Sequence, residues 1–238
     1  MRKYEEYEEN IEYKFILLGD STVGESAIFS RFSGNSFTGN SFTTIGFEKI
    51  VTSFDKLEID KEKNIYKNFE ITLFDTAGQE RYKSLARSYF RGSQGIILIY
   101  SINNITTFEH IQTWLDNIKE SLSDWNKEGY GIMLLGNKLD IIENDINERQ
   151  VLVEEAEKLC TEQGIYWGGE CSAKTFDSEQ VREIFERFAK EIYLKVNKDE
   201  NDNKKQISKL ISTKKKKKNK NDCCLNNYGG IKIEKVKK

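Results

Sequence analysis

Proline is absent from all 238 residues, and histidine occurs once, at His110. With lysine and asparagine abundant, the missing proline reads as compositional bias and not as a structural device. No apolar run approaches the roughly 20 residues of a membrane-spanning helix. The stretch from Met1 to Asn10 is charged and has no apolar core, which argues against a secretory leader. Arg2 stands where the myristoylation pattern requires glycine. Four cysteines, Cys160, Cys171, Cys223 and Cys224, have neither the number nor the spacing of a disulfide framework or a zinc site. A reducing, cytosolic address is therefore expected. His110 lies between polar neighbours on a predicted helix, and a solvated or partly packed role is expected for it in place of a ligand role. Trp114, Trp125 and Trp167 are expected to be packing residues.

Charge is plentiful and uneven. Charged residues make up 32% of the chain, above the usual ~25%. From Lys204 to Lys238 there are thirteen lysines and two acids, leaving 24 basic and 37 acidic residues elsewhere, a net of −13. An acidic body with a basic tail implies a solvated arm that can approach an anionic membrane surface. Nothing points to a nucleic-acid partner.

Three short apolar runs, Lys14–Leu18, Gly95–Tyr100 and Gly131–Leu135, are continuous, as strands covered on both faces require. Between and after them, Phe108, Ile111, Leu115, Ile118 and Leu122 share one helical stripe. Val181, Ile184, Phe185, Phe188, Ile192 and Val196 share another. Strands alternating with helices predict a doubly wound α/β domain: six strands, mostly parallel, with one antiparallel edge strand and helices on both faces. The stretch from Glu48 to Asp75 reads as a hairpin supplying that edge, with its turn near Asp60–Asn64. The expected division is an acidic extension over 1–12, a folded domain over 13–196 and a disordered basic tail over 197–238.

Four motifs carry chemistry, and each follows a predicted strand. Gly19-Asp20-Ser21-Thr22-Val23-Gly24-Glu25-Ser26 opens a helix, the setting in which glycines let backbone N–H groups wrap phosphate. It meets the P-loop pattern except that Glu25 replaces lysine. Asp75 ends a strand and is followed by Thr76-Ala77-Gly78-Gln79-Glu80. There Asp75 can hold Mg²⁺ through water, the Gly78 backbone can sense a γ-phosphate and Gln79 can orient an attacking water. Asn137-Lys138-Leu139-Asp140 offers a carboxylate for the paired donors of a guanine ring, which adenine lacks. Ser172-Ala173-Lys174 offers backbone for the guanine carbonyl.

In that order, these motifs resemble those of Ras-superfamily GTPases. Gln79-Glu80-Arg81-Tyr82, Ser88 to Gly92, Gly95 to Tyr100, Thr107-Phe108-Glu109 and Trp114-Leu115 make the chain similar to the Rab family, from about Tyr13 to Val196. The resemblance implies a P-loop fold binding GTP or GDP with Mg²⁺ on Ser26 and Thr44, and hydrolysing GTP. It also implies two switch regions, around Thr44 and over 76–90, ordered by γ-phosphate and read by effectors, an exchange factor and a GTPase-activating protein. A switch role in vesicle traffic, cycling between cytosol and the cytosolic face of intracellular membranes, belongs to the same implication.

The chain departs from this pattern in four places. Glu25 removes a positive charge from the phosphates and adds a negative one, which the side chain can partly escape by swinging into solvent. Lys49 and Phe74 stand where the family presents Phe and Trp. The hairpin around Asp55–Asn68 is several residues longer than is usual in the family. Cys223-Cys224 resembles a double prenylation site, yet fourteen residues follow it.

Overall fold

The computed structural model describes residues 10–37, 48–62, 64–75, 90, 92–122 and 130–197. The chain divides into two units, Met1–Lys195 and Val196–Lys238, and the fold described here lies in the first except for the last two residues of its final helix. Its strands are β1 (Ile11–Gly19), β2 (Glu48–Asp60), β3 (Ile65–Asp75), β4 (Gly95–Ser101), β5 (Gly131–Asn137) and β6 (Tyr166–Glu170). Its helices are α1 (Glu25–Phe32), α2 (Ile105–Glu109), α3 (Ile111–Ser121), α4 (Leu139–Asn144), α5 (Val153–Gln163) and α6 (178–197).

The six strands form one sheet in the order β2-β3-β1-β4-β5-β6. Only β2 runs antiparallel, pairing with β3 at the sheet edge, so the expected sheet and its hairpin edge are both observed. The hairpin turns between Asp60 and Ile65, and its register slips between Phe54 and Leu57 and again between Glu58 and Asp60.

Successive strand residues face opposite sides, and β1 shows what each side meets. Ile16 and Leu18 join Leu98, Ile111, Leu115, Ile118, Ala156 and Cys160 in a core under α3 and α5. Phe15 turns the other way, packing on Phe185 and Phe188 of α6, while Phe32 of α1 lies 4.7 Å from Phe185 between ring centroids. Helices therefore cover both faces, and this is why the central strands carry unbroken apolar runs. The predicted stripe over 107–122 is present but is divided between α2 and α3 at His110. Its hydrogen-bond ladder continues through the break, His110 N–H donating to the Thr106 carbonyl and Trp114 N–H to the His110 carbonyl. No described helix is long and apolar enough to cross a membrane.

The carboxyl ends of β1, β3, β5 and β6 deliver Gly19, Asp75, Asn137 and the 171–174 turn to one rim of the sheet. Open α/β sheets bind ligands at that rim.

Candidate functional site

β1 ends at Gly19 and the chain turns through 20–23 into α1, whose N-cap is Gly24. Gly24 has φ of 101°, and a Cβ there would meet Asn137 Nδ2 at 2.4 Å, so only glycine fits. Thr22 in the same turn is also left-handed, at φ 72°. A non-glycine residue there costs about 1–2 kcal/mol, and β-branching makes threonine a poor occupant. Thr22→Gly should therefore stabilise the fold by about 1 kcal/mol, raising Tm by about 2–4 °C in a thermal melt. A Tm that stays level or falls would contradict this reading of the loop.

Glu25 is the first residue of α1 and is only 6% exposed. It shares the helix's inward stripe with Ile28, Phe29 and Phe32, a spacing that directs its side chain toward the sheet. Its Oε1 lies 3.3 Å from where a Gly19 Cβ would be. The carboxylate is thus folded back over the start of the loop and is not swung into solvent. A negative group at a helix N-terminus is favoured by the helix dipole. Here that carboxylate is the protein's own, placed within the loop that would receive phosphate. Ser26 follows, half-buried, and Asp75 is buried at the end of β3, paired in register with Leu17 of β1.

Across the rim, buried Asn137 joins two loops. Its Nδ2 donates to the Val23 carbonyl at 2.8 Å, and its Oδ1 accepts from the Ala173 N–H at 3.1 Å. Lys138 is left-handed at φ 74° and caps α4; burial lowers its ammonium pKa, and the nearby Asp140 opposes that shift. The Asp140 carboxylate is fixed by the Ser172 hydroxyl, which donates to Oδ1 at 2.7 Å, and by Lys174 Nζ, 3.5 Å from Oδ2. The Ser172 Oγ in turn accepts from the Lys174 and Thr175 N–H groups. Asn137, Asp140, Ser172 and Ala173 thus form one assembled pocket with an oriented carboxylate and an inward amide. Such a pocket can read a planar base that carries adjacent donors and a carbonyl.

A Ras family model matches residues 14–194. Among curated proteins, the chain is 38% identical over 214 residues to Ras-related protein Rab-13 of Mesocricetus auratus, covering 90% of this chain and 96% of that one. It is 38% identical over 191 residues to Ras-related protein Rab-8B of Homo sapiens, covering 80% and 83%. It is likewise 38% identical over 206 residues to Ras-related protein Rab-8 of Diplobatis ommata, covering 85% and 89%. The chain belongs to the Rab branch of the Ras family.

Within this Rab-family chain, the base end of the site carries the oriented Asp140 carboxylate, and the loop at the other end carries the buried Glu25 carboxylate. Thr44, Gly78 and Gln79 lie outside the described residues, as do Trp125, Cys223 and Cys224. Lys49 and Phe74, the two departures on the hairpin, face one another in register across β2 and β3. Lys49 is exposed, while Phe74 is half-buried with the Lys14 ammonium 5.1 Å from its ring centroid.

One group of residues was not anticipated as a unit. Asp20, the second residue of the loop, accepts from the Trp114 indole N–H at 3.0 Å and lies 2.5 Å from His110 Nδ1. His110 is about half exposed, at 52%, against 22% for Asp20. Of the solvated or partly packed roles expected of the histidine, the structure shows a half-exposed ring whose partner is the loop itself. Trp114 contributes a hydrogen bond as well as packing. The only sequence signal was that His110 and Trp114 stand four apart and so share a helix face.

Proposed function

We propose that this chain is a Rab-type, guanine-nucleotide-dependent switch whose base recognition is intact and whose phosphate binding is weakened by Glu25. The observation that carries the reading is the assembled pocket of Asn137, Asp140, Ser172 and Ala173, with the Asp140 carboxylate held in place by Ser172 at 2.7 Å. Backbone of 19–24 would surround the phosphates. Ser26, Thr44 and Asp75 would hold Mg²⁺, directly or through water. The reaction is GTP and water to GDP and phosphate, with Gln79 orienting the water. The switch regions would meet effectors, an exchange factor and a GTPase-activating protein. The folded domain over 13–196 would be tethered by the basic tail over 197–238, and by prenyl groups on Cys223 and Cys224, to the cytosolic face of intracellular membranes during vesicle traffic.

The burial of Glu25 favours a second reading, a partner-binding module that keeps the fold and does not cycle nucleotide. Competition binding separates both from a P-loop protein of other base preference. GDP and ADP are titrated against the full-length chain and its Glu25→Lys variant. A pocket built around a buried acceptor should prefer GDP by at least about 100-fold. Equal affinity for the two nucleotides would sink the guanine assignment, and GDP affinity appearing only in Glu25→Lys would select the second reading.

A further inference from the structure

The turn that would meet the guanine carbonyl is held from behind by α1. Arg31, in the last turn of α1, donates from Nε to the Ala173 carbonyl and from Nη2 to the Lys174 carbonyl, both at 2.8 Å. Two charge-assisted bonds from one planar guanidinium fix orientation as well as distance. The carbonyls of Ala173 and Lys174 are drawn outward toward α1. On the inner side, the Ala173 N–H is directed at Asn137. The arginine's own support is local: Gly34 N–H donates to the Arg31 carbonyl, and Arg182 of α6 donates to the Phe32 carbonyl at 2.9 Å. Helix α1 therefore carries the phosphate loop at its first residue and the base-reading turn at its seventh.

We propose that Arg31 is a positioning residue for guanine recognition, holding the 172–175 turn so that the Ala173 N–H, here donated to Asn137 Oδ1 at 3.1 Å, can turn to the 6-oxygen of a bound purine. This rests on the guanine reading of the pocket. Asp140 stands in the first turn of α4, outside the 172–175 turn, although Ser172 and Lys174 touch its carboxylate. Loss of Arg31 should therefore weaken reading of the 6-oxygen more than reading of the 2-amino group.

The test uses the full-length chain carrying Glu25→Lys, alone and with Arg31→Ala or Arg31→Lys. Affinities are measured for GDP, 6-thioguanosine diphosphate and inosine diphosphate. Sulfur accepts hydrogen bonds poorly, so the parent should prefer GDP over the thio analogue by about tenfold, roughly one hydrogen bond's worth. Arg31→Ala should erase most of that preference and lower the GDP-to-inosine preference by a smaller factor. Arg31→Lys should recover part of it. A thio preference that survives Arg31→Ala overturns the proposal, even if the variant is less stable. Amide exchange at Ala173, Lys174 and Thr175, measured without nucleotide, separates this outcome from failure of the guanine reading. If the parent binds no guanine nucleotide, the guanine reading fails. Faster exchange in Arg31→Ala then still supports the hold on the turn, and unchanged exchange overturns it.

Discussion

Glu25→Lys should raise affinity for GDP by about 10³- to 10⁶-fold. At ~4 Å and an effective dielectric of ~20, one unit-charge contact is worth about 4 kcal/mol. The substitution removes a repulsion and adds an attraction, and each 1.4 kcal/mol is about tenfold. Had the acid pointed into solvent, screening would have erased much of this. Its burial against Gly19, on the same stripe as Ile28, Phe29 and Phe32, keeps the charge where phosphate would sit in the proposed site. The same substitution should act in the opposite sense on the nucleotide-free protein. Replacing an acid by a base in the first helical turn forfeits about 0.3–1 kcal/mol of favourable dipole interaction. Isothermal titration and thermal melts with and without GDP measure both effects. A GDP affinity that changes less than about tenfold would remove Glu25 as the site's controlling residue.

Asn137→Ala should damage stability and binding together. The side chain is 2% exposed, and it satisfies the Val23 carbonyl on one loop and the Ala173 N–H on another. Truncation leaves both main-chain groups buried without that partner, at about 1–3 kcal/mol each. A loss of about 2–4 kcal/mol is expected in denaturant unfolding, as a shifted midpoint with little change in slope. In the Glu25→Lys background, GDP affinity should fall by at least about 100-fold, because the phosphate loop and the base-reading turn lose their shared anchor. A stability change under about 0.5 kcal/mol would show that the two loops hold each other by other means.

Much of the fold was legible because the central strands are covered on both faces. Phe15 and Ile16 need apolar partners on opposite sides, and that requirement writes itself as a continuous run. The hairpin edge was legible for the converse reason, its polar turn and mixed pattern marking a sheet margin. The motif positions were legible because each follows a strand end. The direction of Glu25 was not read from the loop motif, although the helix stripe from Glu25 to Phe32 contains it. The contacts of Asp20 with His110 and Trp114 join residues 90 and 94 positions apart. Arg31 reaches its carbonyls across 142 and 143 positions. No local pattern encodes such pairs. Thr22 was hidden differently, since threonine gives no hint of a left-handed backbone.

The most direct measurement is the nucleotide content of the purified full-length chain, denatured and resolved by chromatography, beside its Glu25→Lys variant. An intact guanine pocket with a weakened phosphate loop predicts well under one guanine nucleotide per native chain and about one GDP per Glu25→Lys chain. Stoichiometric GDP on the native chain would contradict it.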